Sequence, residues 1–148
     1  MQGSLRLRKP TGAESKWMSK LLVLDDNFEM LMALRAMVGV MGHSVRSSSS
    51  PLEALVMVEK ESFDLVICDF LMPELNGDVF LVKAREAGFT GSFIMVTAFP
   101  NMLDSSRLKP HDVTAILFKP FRAEAMRDAI DKALGQNIAP NIAPNIGP

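Results

Sequence analysis

The stretch Asp64-Leu65-Val66-Ile67-Cys68-Asp69-Phe70 decides how the rest of the chain is read. Four consecutive apolar residues end abruptly in an acid, which suits a short strand buried on both faces and stopping at a polar edge. The pattern recurs along the sequence. Leu21-Leu22-Val23-Leu24 ends in Asp25-Asp26, Phe93-Ile94-Met95-Val96 ends in Thr97, and Ala115-Ile116-Leu117-Phe118 ends in Lys119-Pro120. A weaker strand begins at Val45 and gives way to a polar loop over Ser47–Ser50.

Helical periodicity fills the intervals. Residues 28–41 place Met30, Leu34, Met37, Val38 and Met41 on a wide apolar face, and Gly42 sits where a helix stops. Ser50-Pro51-Leu52-Glu53 supplies a Ser cap, Pro at the first helical position and Glu placed to bond back to the cap, opening a helix over 51–60. Asn76-Gly77 makes a turn before Phe80, Leu81, Ala84 and Ala87, a helix closed by Gly88. A short polar helix over 101–109 is limited by Pro110, and Met126, Ala129, Ile130 and Ala133 mark a last helix through about Leu134. Five strands alternating with five helices predict an α/β fold, a doubly wound five-stranded parallel sheet covered on both sides.

The chain has 148 residues, 48% hydrophobic and 22% charged, enough for one domain with a real core and incompatible with wholesale disorder. The net charge is −1, which argues against nucleic acid or an anionic membrane as partner. Residues 1–20 nevertheless carry Arg6, Arg8, Lys9, Lys16 and Lys20 against Glu14 alone, a local balance of +4, so the remainder stands at −5. We expect 1–19 to be a basic leader, disordered or a tag, 20–135 the folded domain, and 136–148 a disordered tail built on Asn-Ile-Ala-Pro repeats. One cysteine rules out a disulfide framework or a multi-cysteine metal site, and two histidines disfavour histidine-based metal chemistry. No stretch is long and apolar enough to span a bilayer, and the expected setting is cytoplasmic.

In an open parallel sheet, ligands gather at the carboxyl ends of the strands. Those ends here deliver Asp25, Asp26, Asp69, Thr97 and Lys119. Taken singly, each has a bland reading, since an Asp after a strand is ordinarily a turn former or helix cap. Together they are costly, because like charges at about 4 Å repel by a few kcal/mol at an effective dielectric near 20. One lysine cannot neutralise three aspartates. Hard oxygen ligands favour Mg²⁺, which keeps positions open for phosphate oxygens. With a hydroxyl and an ammonium beside them, the parts make a phosphoryl-transfer site whose nucleophile is a carboxylate.

The motifs Asp25-Asp26-Asn27, Asp69-Phe70-Leu71-Met72-Pro73, Thr97-Ala98 and Lys119-Pro120-Phe121, in this order from Leu21 to Leu134, resemble the receiver domain of two-component response regulators. The resemblance implies strand order 2-1-3-4-5. It also implies that Asp69 accepts a phosphoryl group from a sensor histidine kinase or a histidine phosphotransfer protein. Asp26, Asp69 and the backbone carbonyl of Leu71 would ligate Mg²⁺ directly, with Asp25 acting through water. Thr97 and Lys119 would hold phosphoryl oxygens, and the Lys119-Pro120 peptide would be cis. Such a domain catalyses only its own phosphorylation and dephosphorylation. It would act on a downstream protein target as a monomer or weak homodimer, standing alone or as a receiver fragment of a hybrid histidine kinase or phosphorelay intermediate.

Two departures qualify the resemblance. Ile116 stands where the family usually places a switching aromatic, and residues 101–114 lack the usual longer, Ala-rich helix. Leu71 and Phe99, two residues past Asp69 and Thr97, are expected to shield an acyl phosphate from water. Two other readings compete with it. An aspartyl-nucleophile hydrolase wants a second acid two residues beyond the nucleophile, where Leu71 stands. A degenerate, constitutively binding module is disfavoured by the complete acidic set. The remaining features have bland readings: core-filling methionines on the first helix, an inert Cys68, His43 and His111 in surface loops, an incidental Trp17 in the leader.

Overall fold

The computed structural model of the chain describes residues 18–102 and 112–135. Five parallel strands, β1 (Lys20–Leu24), β2 (Ser44–Ser48), β3 (Leu65–Asp69), β4 (Ser92–Thr97) and β5 (Ala115–Phe118), form one sheet in the order β2-β1-β3-β4-β5. Between them run helices α1 (Phe28–Val40), α2 (Pro51–Lys60) and α3 (Gly77–Glu86), and α4 (Ala123–Ala133) follows β5. Among the described residues there are thus four α-helices rather than five. The polar helix expected over 101–109 lies outside the described residues except for its first two positions, which belong to a 3₁₀ turn, Pro100–Met102. Most of the leader and the whole 136–148 tail also lie outside them, as do Trp17 and His111.

Continuous apolar runs make sense because adjacent side chains serve opposite faces. Leu22, Leu24, Val66, Cys68, Phe93 and Met95 pack with Ala54, Val58, Phe80 and Leu81 of α2 and α3. Leu21, Val23, Leu65, Ile67, Ile94 and Val96 pack with Leu31, Leu34, Val38, Met126 and Ile130 of α1 and α4. Burying such side chains supplies about 1.5–3 kcal/mol each, the main force holding the layers together. Met30, Met37 and Met41 join the second cluster, whereas Met32 is exposed.

Several local expectations need correction. β2 runs from Ser44 through Ser48, so two residues expected in a loop belong to the strand. The Ser50 side chain does cap α2, accepting from the Glu53 N–H, but the Glu53 carboxylate does not return to the cap. It accepts instead from the Ser48 hydroxyl at 2.6 Å, whose oxygen receives the Ser50 N–H. His43 is no surface residue: it is buried, with Nδ1 accepting from the Ser19 N–H.

The register places the ends of β1, β3, β4 and β5 at one edge. Leu24 pairs with Cys68, Asp69 with Val96, and Thr97 with Phe118. The edge is locked where α3 begins. The Gly77 N–H donates to the Phe70 carbonyl at 2.6 Å. A Cβ at this position would lie 2.7 Å from the Met95 sulfur and 2.8 Å from the Asp69 carbonyl oxygen. Asn76-Gly77 is therefore a close approach of helix to strand and more than a turn. Gly77→Ala, although alanine ordinarily favours a helix, is expected to destabilise by about 1–3 kcal/mol through overpacking. Thermal unfolding should show a midpoint several degrees lower, and an unchanged midpoint would remove the packing argument.

Candidate functional site

Each candidate side chain is set by a strand that has just ended. Asp25 follows β1, its N–H donating to the Ser48 carbonyl and its Oδ1 accepting from the Asn27 N–H at 2.8 Å. Asn27 in turn caps α1, its side chain accepting from the Met30 N–H. A single tight turn therefore points Asp25 inward and leaves Asp26 at the surface. Asp69 is the last residue of β3, and Thr97 the last of β4. The loop after Asp69 is pinned by the Phe70 N–H to the Val96 carbonyl at 2.7 Å. The Lys119 N–H donates to the Thr97 carbonyl at 2.8 Å, drawing the end of β5 to the same edge.

Asp25, Asp26 and Asp69 each bring a carboxylate oxygen within 4.8 Å of the others. The Lys119 ammonium lies 3.0 Å from Asp69 Oδ1 and 3.4 Å from Asp25 Oδ2. Asp25, Asp69 and Thr97 are buried, and Asp26 is exposed, so the cluster runs from the interior to the surface. The Thr97 hydroxyl accepts from the Phe99 N–H at 2.9 Å, which leaves its own proton available for donation. Leu71 stands in the loop two residues past Asp69. All five side chains named from the sequence thus converge on one edge, and the Lys119-Pro120 peptide is cis.

Electrostatics follow from this crowding. Burial raises the pKa of Asp69, the neighbouring carboxylates of Asp25 and Asp26 push it further, and Lys119 opposes them without prevailing. Burial works to lower the Lys119 pKa, but Asp69 and Asp25 outweigh it and the net shift is upward. The Cys68 thiol is driven well above its usual range by burial and by Asp69, Asp25 and Asp78, and its Sγ donates to the Asp69 carbonyl, so it is held as an unreactive thiol.

Of three exposed apolar residues beside this edge, the sequence reading named Leu71 and Phe99 and missed Phe28. Phe28, Leu71 and Phe99 are 68%, 38% and 49% exposed, each two residues past Asp26, Asp69 or Thr97. The signal for Phe28 is its position two residues past Asp26, matching Leu71 after Asp69 and Phe99 after Thr97, but the helical pattern of α1 absorbs it. Ile116, at the position of the expected aromatic, pairs in register with Met95 and is partly exposed, while Phe118 pairs with Thr97 and is about half exposed. Away from this edge, a cleft of about 410 Å³ lies between the ends of α2 and α3, lined by Glu59, Glu61, Phe63 and Phe89 among others. It shares no residue with the carboxylate cluster. No helix among the described residues is long and apolar enough to cross a membrane.

A group whose folded pKa is raised contributes stability that is present below its unfolded value and lost as the pH rises through the folded one. For Asp69 the unfolded reference is 3.8, so its ionised form burdens the fold at neutral pH. For Lys119 the reference is 10.5, and its favourable pairing holds at neutral pH, failing only above its raised value. Without divalent cations, Asp69→Asn is expected to resist denaturant better than the parent near pH 7. The gap should close as the pH falls toward about 4. A variant less stable than the parent at neutral pH would show that the Lys119 pairing outweighs burial and repulsion.

A family model for the response regulator receiver domain matches residues 21–131. The chain is 27% identical over 114 residues to the transcriptional regulatory protein ZraR of Salmonella typhimurium, covering 77% of this chain and 26% of that protein. It is 31% identical over 121 residues to the virulence sensor protein BvgS of Bordetella bronchiseptica, covering 77% of this chain and 10% of that one. The chain therefore spans about a quarter or less of these relatives. A CheY-like receiver domain protein from Methanospirillum hungatei superposes with a TM-score of 0.75 at 24% identity, covering 80% of this chain and 95% of that one. A receiver domain protein from Clostridium thermocellum gives 0.72 at 26% identity, with the same coverages.

Proposed function

The chain belongs to the response regulator receiver-domain family, and from that premise we propose that Asp69 is the phosphoacceptor of a two-component signalling step. A carboxylate oxygen of Asp69 attacks the phosphorus of a phosphohistidine on a kinase or phosphotransfer protein. The phosphorus–nitrogen bond breaks, the imidazole leaves and takes a proton, and an acyl phosphate remains. The observation that carries this reading is the Lys119 ammonium, 3.0 Å from one of three clustered carboxylates. It is placed to bond a phosphoryl oxygen once Asp69 is esterified. The Thr97 hydroxyl, with its proton available, is placed to donate to another.

An all-oxygen donor set with one ammonium among three carboxylates fits a hard divalent cation. Asp26, Asp69 and the Leu71 carbonyl would hold Mg²⁺, with Asp25 acting through water. Bound there, the ion supplies charge neutralisation on the transferring phosphoryl group. The chain's own catalysis is confined to gaining and losing this group. The switch it drives is a change in affinity for a downstream protein, in a cytoplasmic setting. Similarity to a regulator supports a receiver that answers a separate kinase, and similarity to a sensor protein supports a second reading, a receiver within a hybrid kinase or relay.

Leu71 and Phe99, two residues past Asp69 and Thr97, are apolar and exposed, and they would shield the acyl phosphate from water. Incubation with acetyl phosphate and Mg²⁺, followed by intact mass, should add one phosphoryl group to the parent and none to Asp69→Asn. Labelling of both, or of neither, would overturn the assignment. Followed after removal of the donor, Leu71→Asn should lose its phosphoryl group several-fold faster than the parent, and equal lifetimes would remove the shielding role.

A further inference from the structure

We propose that the basic leader, centred on Leu5-Arg6-Leu7-Arg8-Lys9, docks on the mouth of the Asp25–Asp26–Asp69 pocket and competes with the divalent cation for it. This rests on the reading of that pocket as a cation-dependent phosphoacceptor site, and it adds a means of regulating it. Three observations carry it. First, the site offers two chemistries close together in sequence, a carboxylate cluster that one lysine does not balance and three exposed apolar residues, Phe28, Leu71 and Phe99, each two positions past Asp26, Asp69 or Thr97. The leader supplies both complements, since Arg6, Arg8 and Lys9 alternate with or follow Leu5 and Leu7. Guanidinium groups pair with carboxylates in a bidentate fork.

Second, charge is divided along the chain in the sense docking requires, +3 over the leader, residues 1–19, and −4 over the rest. Third, the tether is long enough. The leader joins β1 at Lys20, at the edge of the sheet opposite the pocket. Five steps of strand to Asp25 span about 17 Å. Lys9 precedes Lys20 by eleven residues, which reach about 36 Å when extended, and Arg6 further still. A divalent cation in the pocket would cancel the charge that attracts the leader, so each occupant weakens the other.

The test uses the full chain and calorimetric titration of Mg²⁺. A variant carrying Arg6→Gln, Arg8→Gln and Lys9→Gln should bind Mg²⁺ at least threefold more tightly than the parent near 10 mM salt. The advantage should vanish near 1 M salt, where the screening length falls from about 30 Å to about 3 Å. A control variant, Lys60→Gln with Arg127→Gln and Lys132→Gln, removes as much charge from exposed positions away from the pocket. Equal tightening in the control would assign the effect to overall charge and overturn the proposal, as would unchanged affinity in the leader variant. A gap that grows with protein concentration would assign the contact to the leader of a second copy and overturn the intrachain form. If the parent binds no Mg²⁺ and Asp69 takes no phosphoryl group, the reading of the pocket falls first. If Asp69 is labelled normally and only the leader variant fails to tighten, the leader proposal falls alone.

Discussion

Repulsion among three carboxylates governs this domain. A pair of like charges about 4 Å apart costs roughly 4 kcal/mol at an effective dielectric near 20, and here three oxygens lie within 4.8 Å of one another. The arrangement persists because buried strands leave no alternative. Asp69 ends a strand whose every residue is buried, and Asp25 follows one with four buried positions. The backbone hydrogen bonds of β1, β3 and β4 fix where those chains stop, so the acids meet whether or not their charges favour it. Lys119 relieves part of the repulsion, and its own raised pKa records the relief. What remains unbalanced is a negative charge that a divalent cation would offset.

Function therefore rests on the apolar layers more than on the polar residues. The two clusters either side of the sheet, one under α2 and α3 and the other under α1 and α4, stabilise the fold against the strain at its edge. Gly77 lets α3 close down on Phe70 and Asp69, shaping the wall of the pocket from behind. The turn built by Asp25 and Asn27 does the same from the side of α1. Phe28, Leu71 and Phe99, each two residues past Asp26, Asp69 or Thr97, are exposed apolar residues close in sequence to the polar cluster.

Much of this was legible in the chain. Runs such as Leu65–Cys68 announce strands buried on two faces, and a polar residue closing each run announces the edge, so the sheet and all five convergent side chains could be named in advance. Patterns of period two or 3.6 carry burial but not the identity of distant partners. That is why Glu53 was assigned to its own cap when Ser48, five residues back on another element, holds it instead. It is also why the sequence points to an exposed His43, although the residue is buried and accepts a bond from the Ser19 N–H just before β1. The close approach at Gly77 was invisible for the same reason, since Met95 lies on another strand. The half-exposed Ile116 and Phe118 follow from β5 being the last strand of the sheet.

The claim at the centre is that a divalent cation relieves a repulsion the fold imposes, and the dependence of stability on Mg²⁺ tests it directly. A ligand that binds only the folded state stabilises it by about 2.7 kcal/mol at a hundred times its dissociation constant. The account predicts that saturating Mg²⁺ raises the unfolding midpoint of the parent by several degrees and leaves that of Asp26→Asn nearly where it was. An equal rise in both proteins, or no rise in the parent, would contradict it.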